Sequence, residues 1–381
     1  MTVITNVSGD ATKKLVTIIG EAIGSDSFIT SSLALISSSN NHALISSFLV
    51  PDVLPAILEM DEDTVVGTFG LLSYLVGSVE EGKQEALSTA IITSLSSSTS
   101  KPPTTILTCL VNHQNIRPPT SCKYNALVKA TEYAIENGMF NSIKGSFERL
   151  EDTVAEWRLK GSEIRNIYNI VARGYTSLGD SSTCQSWIVK SLQTFDSFNE
   201  PVDSTGVETA VKAVIEAIKS PLKIFGGSGL SGLKVLEELK SNNSDIISLL
   251  EIFSTGNLTD FLTYSKSNSS TFKKHSLNLE ECTKNMRLLS LCTLASSSPI
   301  LSYASVAEVM QVSENTVEVW IVHAIQAGLI EGRMDQVEKN VVVERAVCRG
   351  KGEKEWKGLE GRLEGLVGEV ERVMEGLERK E

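Results

Sequence analysis

Residues 284–349 read KNMRLLSLCTLASSSPILSYASVAEVMQVSENTVEVWIVHAIQAGLIEGRMDQVEKNVVVERAVCR. The first part is apolar at every third or fourth position, as at Leu288, Leu291 and Leu294. This spacing predicts an amphipathic helix, and Pro299 marks its end because proline cannot continue a helix.

Two shorter helices are predicted next in the same stretch. Ser305 stands three residues before Glu308, the capping-box spacing that satisfies free amides at a helix start. Ser313 opens the following helix, and Gly328 supplies the left-handed residue that commonly ends one. The apolar stripe of this last helix comprises Val317, Trp320, Ile321, Ala324 and Ile325.

Two extended runs close the stretch. Leu329 to Arg333 and Asn340 to Val347 flank a polar turn that contains Met334, Asp335 and Gln336. The second run is rich in β-branched valine, which favours strands, so the pair predicts a hairpin. Three helices followed by such a hairpin describe a winged helix, with the hairpin as its wing.

A winged helix suggests nucleic-acid binding, and charge tests that function. Residues 315–326, which would enter a major groove, include Glu318 but no lysine or arginine. A groove reader needs cations and hydrogen-bonding side chains aimed at base edges. The whole chain carries a formal charge of −12, which disfavours a polyanionic partner. The wing region supplies four cations that are candidates for phosphate contact: Lys339, Arg345, Arg349 and Lys351. We therefore predict a packing module between proteins and no direct nucleic-acid binding.

Composition bounds the remaining function classes. With 381 residues, 41% hydrophobic and 22% charged, the chain fits a soluble globular protein with two or more modules. We expect no signal peptide and no membrane helix, because no window reaches about 18 apolar residues. The cysteines are scattered without metal-ligand spacing, which favours reduced thiols in the cytosol over disulfides or zinc. They are Cys109, Cys122, Cys184, Cys282, Cys292 and Cys348.

The chain before the winged helix reads as α-helices throughout. Glycines at 138 and 179 end two helices about one helical-repeat length apart, and one long helix is predicted over Ser142 to Trp157. The predicted fold is mainly α: an α-solenoid of helical repeats, then a winged helix, then a long C-terminal helix. The predicted domains are residues 1–110, a helical region with a Ser/Pro-rich loop near 96–103; 111–283, the repeats; 284–350, the winged helix; and 351–381, the C-terminal helix.

The last segment carries an uninterrupted heptad pattern. This pattern predicts a helix whose apolar side packs against another helix or surface. Five glycines among residues 358–376 each weaken that helix by about 1 kcal/mol relative to alanine. We expect the seam to enter a helical bundle; the alternative is that it folds back on its own winged helix. The seam residues are Trp356, Leu359, Leu363, Leu366, Val370, Val373 and Leu377.

No constellation for catalysis, cofactor or metal binding is predicted. Gly227 to Gly232 matches the dinucleotide fingerprint G-x-G-x-x-G, but helices surround it and no parallel βαβ unit follows. The favoured interpretation is an interhelical loop, and an enzyme that uses this loop stays the alternative. The histidines are isolated from one another in the sequence and have no carboxylate or cysteine at ligand spacing: His42, His113, His275 and His323.

The runs Val317 to Ile325, Ala327 to Gln336 and Val341 to Val343 resemble the winged-helix half of a PCI domain. Such domains occur in the proteasome lid, the signalosome and translation initiation factor 3. The total length and the Met334-Asp335-Gln336 wing look most like the initiation-factor branch. Lid or signalosome membership, or RNA binding by a PCI protein, remain alternatives.

This resemblance implies a non-catalytic, cytoplasmic scaffold subunit without cofactors. Its partners would be other PCI and MPN subunits and, through the complex, the small ribosomal subunit, supporting preinitiation-complex assembly and mRNA recruitment. In this family the wing strands of neighbouring subunits extend one sheet, so the implied intersubunit edge is Val341, Val342 and Val343. The implied helical-bundle contact is the seam from Trp356 to Leu377.

Overall fold

A computed structural model of the chain describes residues 9–116, 120–220, 230, 232–242, 244–347, 349 and 353–378. For residues 9–11, 81, 120–121, 241–242, 353–359, 362, 373 and 375–378 it describes the backbone alone. The chain divides into two compact units, Met1–Cys184 and Gln185–Glu381. The domain boundaries expected from the sequence are not tested by this division and stay predictions.

The first unit is built from helices in its described part. They are α1 (Gly9–Ile23), α2 (Asp26–Ser37), α3 (Asn41–Phe48), α4 (Leu54–Glu59), α5 (Glu62–Val76), α6 (Glu81–Ser96), α7 (Pro103–Asn115), α8 (Thr120–Glu136), α9 (Phe140–Ile143), α10 (Leu150–Trp157), α11 (Gly161–Ser177) and the start of α12 (Ser181–Ser197).

Neighbouring helices of this unit stack in a regular order. α3 packs on α5, α5 on α7, α6 on α8, and α8 on α11. Apart from α11, these helices share one core of buried apolar side chains that extends from α1 to α8. Gly138 and Gly179 take left-handed φ angles after α8 and α11, as their positions predicted. Helices also pack on the next one in the chain, as α1 on α2 and α7 on α8, and this stacking confirms the predicted helical repeats.

The first unit differs from the prediction in two places. The single helix over Ser142 to Trp157 is two helices, α9 and α10, separated by a 3-10 turn at Lys144–Phe147. Gly145 lies in that turn, and glycine has the lowest helix propensity after proline. The Phe140 and Phe147 rings stack there with centroids 5.5 Å apart. The helix α7 was not predicted, and the loop predicted near 96–103 is the shorter segment 97–102 between α6 and α7.

The second unit continues the helices. They are the rest of α12, then α13 (Ser204–Lys219), α14 (Lys234–Asn242), α15 (Ser244–Thr255), α16 (Leu258–Ser267), α17 (Ser269–Lys274) and α18 (Leu279–Ser297). Met286 and Leu289 of α18 lie in the core of these helices, whereas Leu288 and Leu291 lie in the core of the segment that follows. One continuous helix therefore belongs to both cores.

That following segment is a winged helix, as predicted. Strand β1 (Ile300–Ser302), helices α19 (Tyr303–Met310) and α20 (Val317–Gln326), and strands β2 (Ile330–Asp335) and β3 (Asn340–Ala346) come in this order. The predicted cap at Ser305 is wrong: the side chain of Ser302 accepts from the Ser305 amide at 3.2 Å. α19 therefore begins three residues earlier than the capping-box spacing indicated.

A single long helix ends the described chain. This helix, α21, runs over Glu353–Glu378, 26 residues. It confirms the predicted C-terminal helix despite its glycines. Across the described residues, no helix combines the length and apolarity that crossing a bilayer requires.

Candidate assembly interface

The winged helix is held by a compact core under α20. Val317, Ile321 and Ala324 turn inward from α20, and Leu329 and Ile330 follow from the turn and β2. Gly328 has φ +68°, a left-handed angle that redirects the chain from α20 into β2 at little steric cost. These contacts hold α20 against the turn and β2.

The wing is part of a three-stranded antiparallel sheet with the order β1-β3-β2. β3 pairs with β1 at Val341 and Val342 and with β2 along most of its length. The Val343 amide also donates to the Pro299 carbonyl oxygen at 2.8 Å. Val341, Val342 and Val343 therefore lie on the central strand of the sheet and not at a free strand edge, and their contact with another subunit stays a prediction.

The free edges of this sheet lie elsewhere. Within the described residues, β2 and the three-residue β1 each pair on one side only. Strand β1 was missed because three residues, Ile300 to Ser302, carry too little pattern to be recognised before their partner in β3 is known. The pairing of β1 with β3, which the sequence does not signal, decides where the edges lie.

The valines differ sharply in exposure. Val341 is 2% exposed in the winged-helix core, and Val343 is half-buried. Val342 is 42% exposed and lies opposite Ile300, which is 57% exposed on the neighbouring strand. Side chains directly opposite each other in a sheet share a face, so these two form an apolar pair on its outer side.

Charged side chains of the wing are engaged within the molecule. Lys339 Nζ lies 2.9 Å from Glu314 Oε1, and Arg345 Nη1 lies 3.0 Å from Glu331 Oε1. These pairs are exposed and contribute little to stability, but they neutralise two of the four cations considered for phosphate contact. Arg349 is buried, and Lys351 lies outside the described residues.

Glu318 ties the wing to α20. Its carboxylate accepts from the Tyr303 hydroxyl at 3.3 Å and from Gln336 Nε2 at 3.2 Å. Burial, followed by the neighbouring Glu318 carboxylate, raises the pKa of Tyr303. The one acidic side chain of α20 thus has a structural role within the winged helix.

The predicted seam of α21 presents an apolar face to solvent. Leu363, Leu366 and Val370 are each more than half exposed, and the side chains of Trp356, Leu359, Val373 and Leu377 lie outside the described ones. Val367 and Met374, which were not predicted, widen this face and are also more than half exposed. We call Leu363, Leu366, Val367, Val370 and Met374 the α21 seam.

The four histidines and part of the glycine-rich motif lie among the described residues. Most of the glycine-rich run Gly227 to Gly232 lies outside the described residues. Where side chains are described, no three His, Cys, Asp or Glu residues are grouped to hold a metal ion. Burial raises the pKa of the Cys109 and Cys292 thiols to about 12, which keeps them protonated at neutral pH.

Sequence reasoning missed a buried polar cluster in the first unit. His113 is fully buried between Ser88 and Ser73, with Nε2 and Nδ1 each 2.7 Å from a serine Oγ. Ser73 donates its own hydrogen to the Phe69 carbonyl oxygen at 2.6 Å, so it must accept from Nδ1–H. Burial lowers the pKa of His113 to about 4. The cluster is a neutral structural network, closed to solvent.

Comparison with known proteins matches the winged helix and the helices before it to a domain family. Residues 258–345 match the family model of the PCI domain. The chain is 28% identical to eukaryotic translation initiation factor 3 subunit M of Neosartorya fischeri over 79% of this chain and 67% of that protein. It is 27% identical to the protein of that name from Chaetomium globosum over 68% of this chain and 62% of the relative.

A third relative gives the same result. Subunit M of Aspergillus clavatus is 30% identical over 68% of this chain and 56% of its own length. The alignments therefore span between 56% and 67% of the length of these three curated relatives.

Proposed function

The chain is a PCI-domain protein similar to subunit M of eukaryotic translation initiation factor 3, and from this we propose that it is a non-catalytic scaffold subunit of that initiation factor. In this role it works in the cytoplasm with other PCI and MPN subunits. Through the complex it supports preinitiation-complex assembly on the small ribosomal subunit and mRNA recruitment.

The observation that carries the scaffold proposal is the exposed α21 seam. Leucine, valine and methionine side chains recur on one face of a long helix and remain largely exposed. A contiguous exposed apolar stripe marks an interaction site, since a free chain gains nothing by presenting it to water. Docking into a bundle of helices from other subunits would cover it.

The glycines of α21 support the same interpretation. At Gly361, Gly365 and Gly368 no atom beyond the adjacent residues and the local helix backbone lies within 4 Å of where a Cβ would stand, so tight packing does not require glycine there. Each lowers the intrinsic stability of the helix by about 1 kcal/mol. A helix this weak gains order from tertiary or quaternary packing, and a bundle would provide it.

The winged helix offers a second contact of a different kind. The outer edge of β2 is unpaired among the described strands, so a strand from a neighbouring subunit would extend the sheet there. Of the three valines first assigned to an edge, Val342 presents its side chain outward, beside Ile300. We therefore assign the backbone contact to β2 and the side-chain contact to Val342.

Direct RNA binding receives less support than a protein scaffold. Lys339 and Arg345 are paired with carboxylates, and Arg349 is buried. To contact phosphate, these side chains would have to give up their present partners. Each phosphate contact would also make the RNA affinity depend on the salt concentration. The α21 seam, by contrast, matches a protein surface.

Affinity purification of the full chain tests the proposal. The tagged chain is isolated from nuclease-treated cytosolic extract, and its partners are identified and quantified by mass spectrometry. Stoichiometric recovery of initiation-factor subunits is expected. Recovery of signalosome or proteasome-lid subunits instead, or of RNA that persists without other subunits, would contradict it.

A further inference from the structure

The outward face of α20 carries apolar side chains where a nucleic-acid reader carries cations. Val319 is 54% exposed and Val322 is 38% exposed, and both lie opposite the buried Val317 and Ile321 on this helix. Positions three and seven residues apart lie on one helical face, which places Gln326 beside them. We call Val319, Val322 and Gln326 the α20 outer face.

An unpaired cation lies at one border of this face. Arg287 of α18 stacks over the Trp320 ring, with Cζ 5.5 Å from the ring centroid. Its Nε is shielded from water and has no hydrogen-bond partner. Throughout the described part of the chain, no carboxylate lies within ion-pair distance of this guanidinium.

A second unpaired nitrogen lies next to it. His323 is one turn from Val319, its ring meets Trp320 edge-on at 6.1 Å, and its Nδ1 is buried without a partner. A buried polar group without a partner costs about 1–3 kcal/mol. Both nitrogens are shielded within the chain, so a partner would contact the remaining, partly exposed part of the Arg287 side chain and not these two atoms.

We propose that the α20 outer face docks an amphipathic helix of another subunit, with a carboxylate of that helix accepting from Arg287. The side chains of Val319 and Val322 form a ridge, and apolar side chains of the partner helix pack on both sides of it. A carboxylate matches the planar guanidinium fork, which the Trp320 ring holds in place. The opposite border carries Glu318, which disfavours a polyanion such as RNA.

This surface is separate from the α21 seam and from the β2 edge. The inference rests on the proposal that the chain works inside an assembly, but it does not depend on which assembly that is.

Site-specific photo-crosslinking in the assembled complex tests the inference. A benzophenone amino acid replaces Val322 in the full chain, the complex is purified and irradiated, and the crosslinked peptide is sequenced. The expected product is one peptide of another subunit with helical apolar spacing and an aspartate or glutamate at its border. The same probe at Val337, 89% exposed on the wing turn, is the matched control and should not capture that peptide.

Arg287→Met keeps an apolar stem over Trp320 but removes the charge. This change should lower the Val322 crosslink roughly tenfold, the loss expected for one charge-assisted hydrogen bond, and Arg287→Lys should restore part of it. An unchanged melting temperature and unchanged recovery of the other subunits verify that the variant is folded.

The inference is overturned if the yield of the Val322 crosslink is unchanged in Arg287→Met, or if no crosslink forms. It is also overturned if the probe captures RNA or a second copy of this chain. The subunits recovered in the same sample test the proposed function independently. If these subunits belong to another complex but the probe still captures an amphipathic helix with a carboxylate, the proposed function fails and this inference stands.

Discussion

The guanidinium of Arg349 donates from Nε to the Phe253 carbonyl oxygen at 2.8 Å. Nη2 also donates to the Ile252 carbonyl oxygen, at 2.7 Å. Both carbonyls belong to the last turn of α15, where the negative end of the helix dipole favours a cation, and the Ile252 oxygen also accepts from the Gly256 amide at 2.9 Å. The segment that leaves the wing is thereby fixed to the helical part of its own unit.

Replacing Arg349 with methionine should destabilise the second unit by about 3 kcal/mol. Methionine fills a comparable volume but leaves two carbonyl oxygens without their charged donor. Burial lowers the pKa of Arg349 to about 10, so the side chain is charged at neutral pH and its hydrogen bonds are charge-assisted. Hydrogen exchange of α15 in the full chain measures the loss. Arg345→Met, which removes an exposed ion pair, is the control and should change the free energy by less than about 1 kcal/mol.

Acid should weaken the first unit through His113. Its folded-state pKa of about 4 lies below the ordinary value of 6.5, so the unfolded chain binds more protons between these pH values. The stabilising contribution is therefore complete above pH 6.5 and is lost as the pH falls toward 4, by about 3 kcal/mol in total.

Comparison of wild type with His113→Leu isolates this contribution. Hydrogen exchange of α5, α6 and α7 should show a shallower dependence on pH in the variant between 6.5 and 4. The variant should also be less stable at pH 7, because the Ser88 hydroxyl loses its partner. His42→Leu, at an exposed site on α3, should retain the wild-type slope; equal slopes in wild type and His113→Leu would contradict the assignment.

Alanine at three glycines of α21 should strengthen that helix. Gly361, Gly365 and Gly368 have open space where the added methyl group would lie, so each change to alanine should add about 1 kcal/mol to local helix stability. Slower amide exchange over residues 353–378 is the expected result. Gly206→Ala is the contrasting control, because its Cβ would lie 2.7 Å from Phe195 Cζ and should destabilise α13.

The adjacent valines of β3 should respond in opposite ways. Val341→Ala removes methyl groups from a packed core and should cost about 2 kcal/mol of winged-helix stability. Val342→Ala, at an outward position, should change stability by less than about 0.5 kcal/mol. Thermal unfolding of the two variants measures the difference, and similar losses in both would show that the strand faces are assigned incorrectly.

The sequence predicted features whose signal lies within one element. The apolar residues of α20 and of the α21 seam repeat at helical intervals. Gly328 occupies the position after a helix where a left-handed residue is preferred. Helix α7 was missed because Pro102 and Pro103, considered alone, indicate a loop. Proline at the first helical turn is favourable, however, since the missing amide would have no partner there.

Features that depend on contacts between residues far apart in the chain could not be predicted from the local sequence. The pairing of Ile300 with Val342 makes β3 the central strand, and nothing near Val342 in the sequence indicates it. Arg349 meets Phe253 across 96 residues, and His113 meets Ser73 across 40. Arg349 and His113 are polar and buried, so the role of each depends on a tertiary neighbour that composition does not reveal.

The most direct test of the scaffold proposal adds charge to the α21 seam. In Leu363→Glu/Leu366→Glu/Val370→Glu the apolar face becomes acidic, and in the matched control Gly361→Glu/Gly365→Glu/Gly368→Glu the same three charges occupy the opposite face. Quantitative mass spectrometry of the purified full-length variants measures the initiation-factor subunits recovered with each. The seam variant should lose them at least tenfold while the control retains them; recovery by the seam variant at the wild-type level would contradict the proposal.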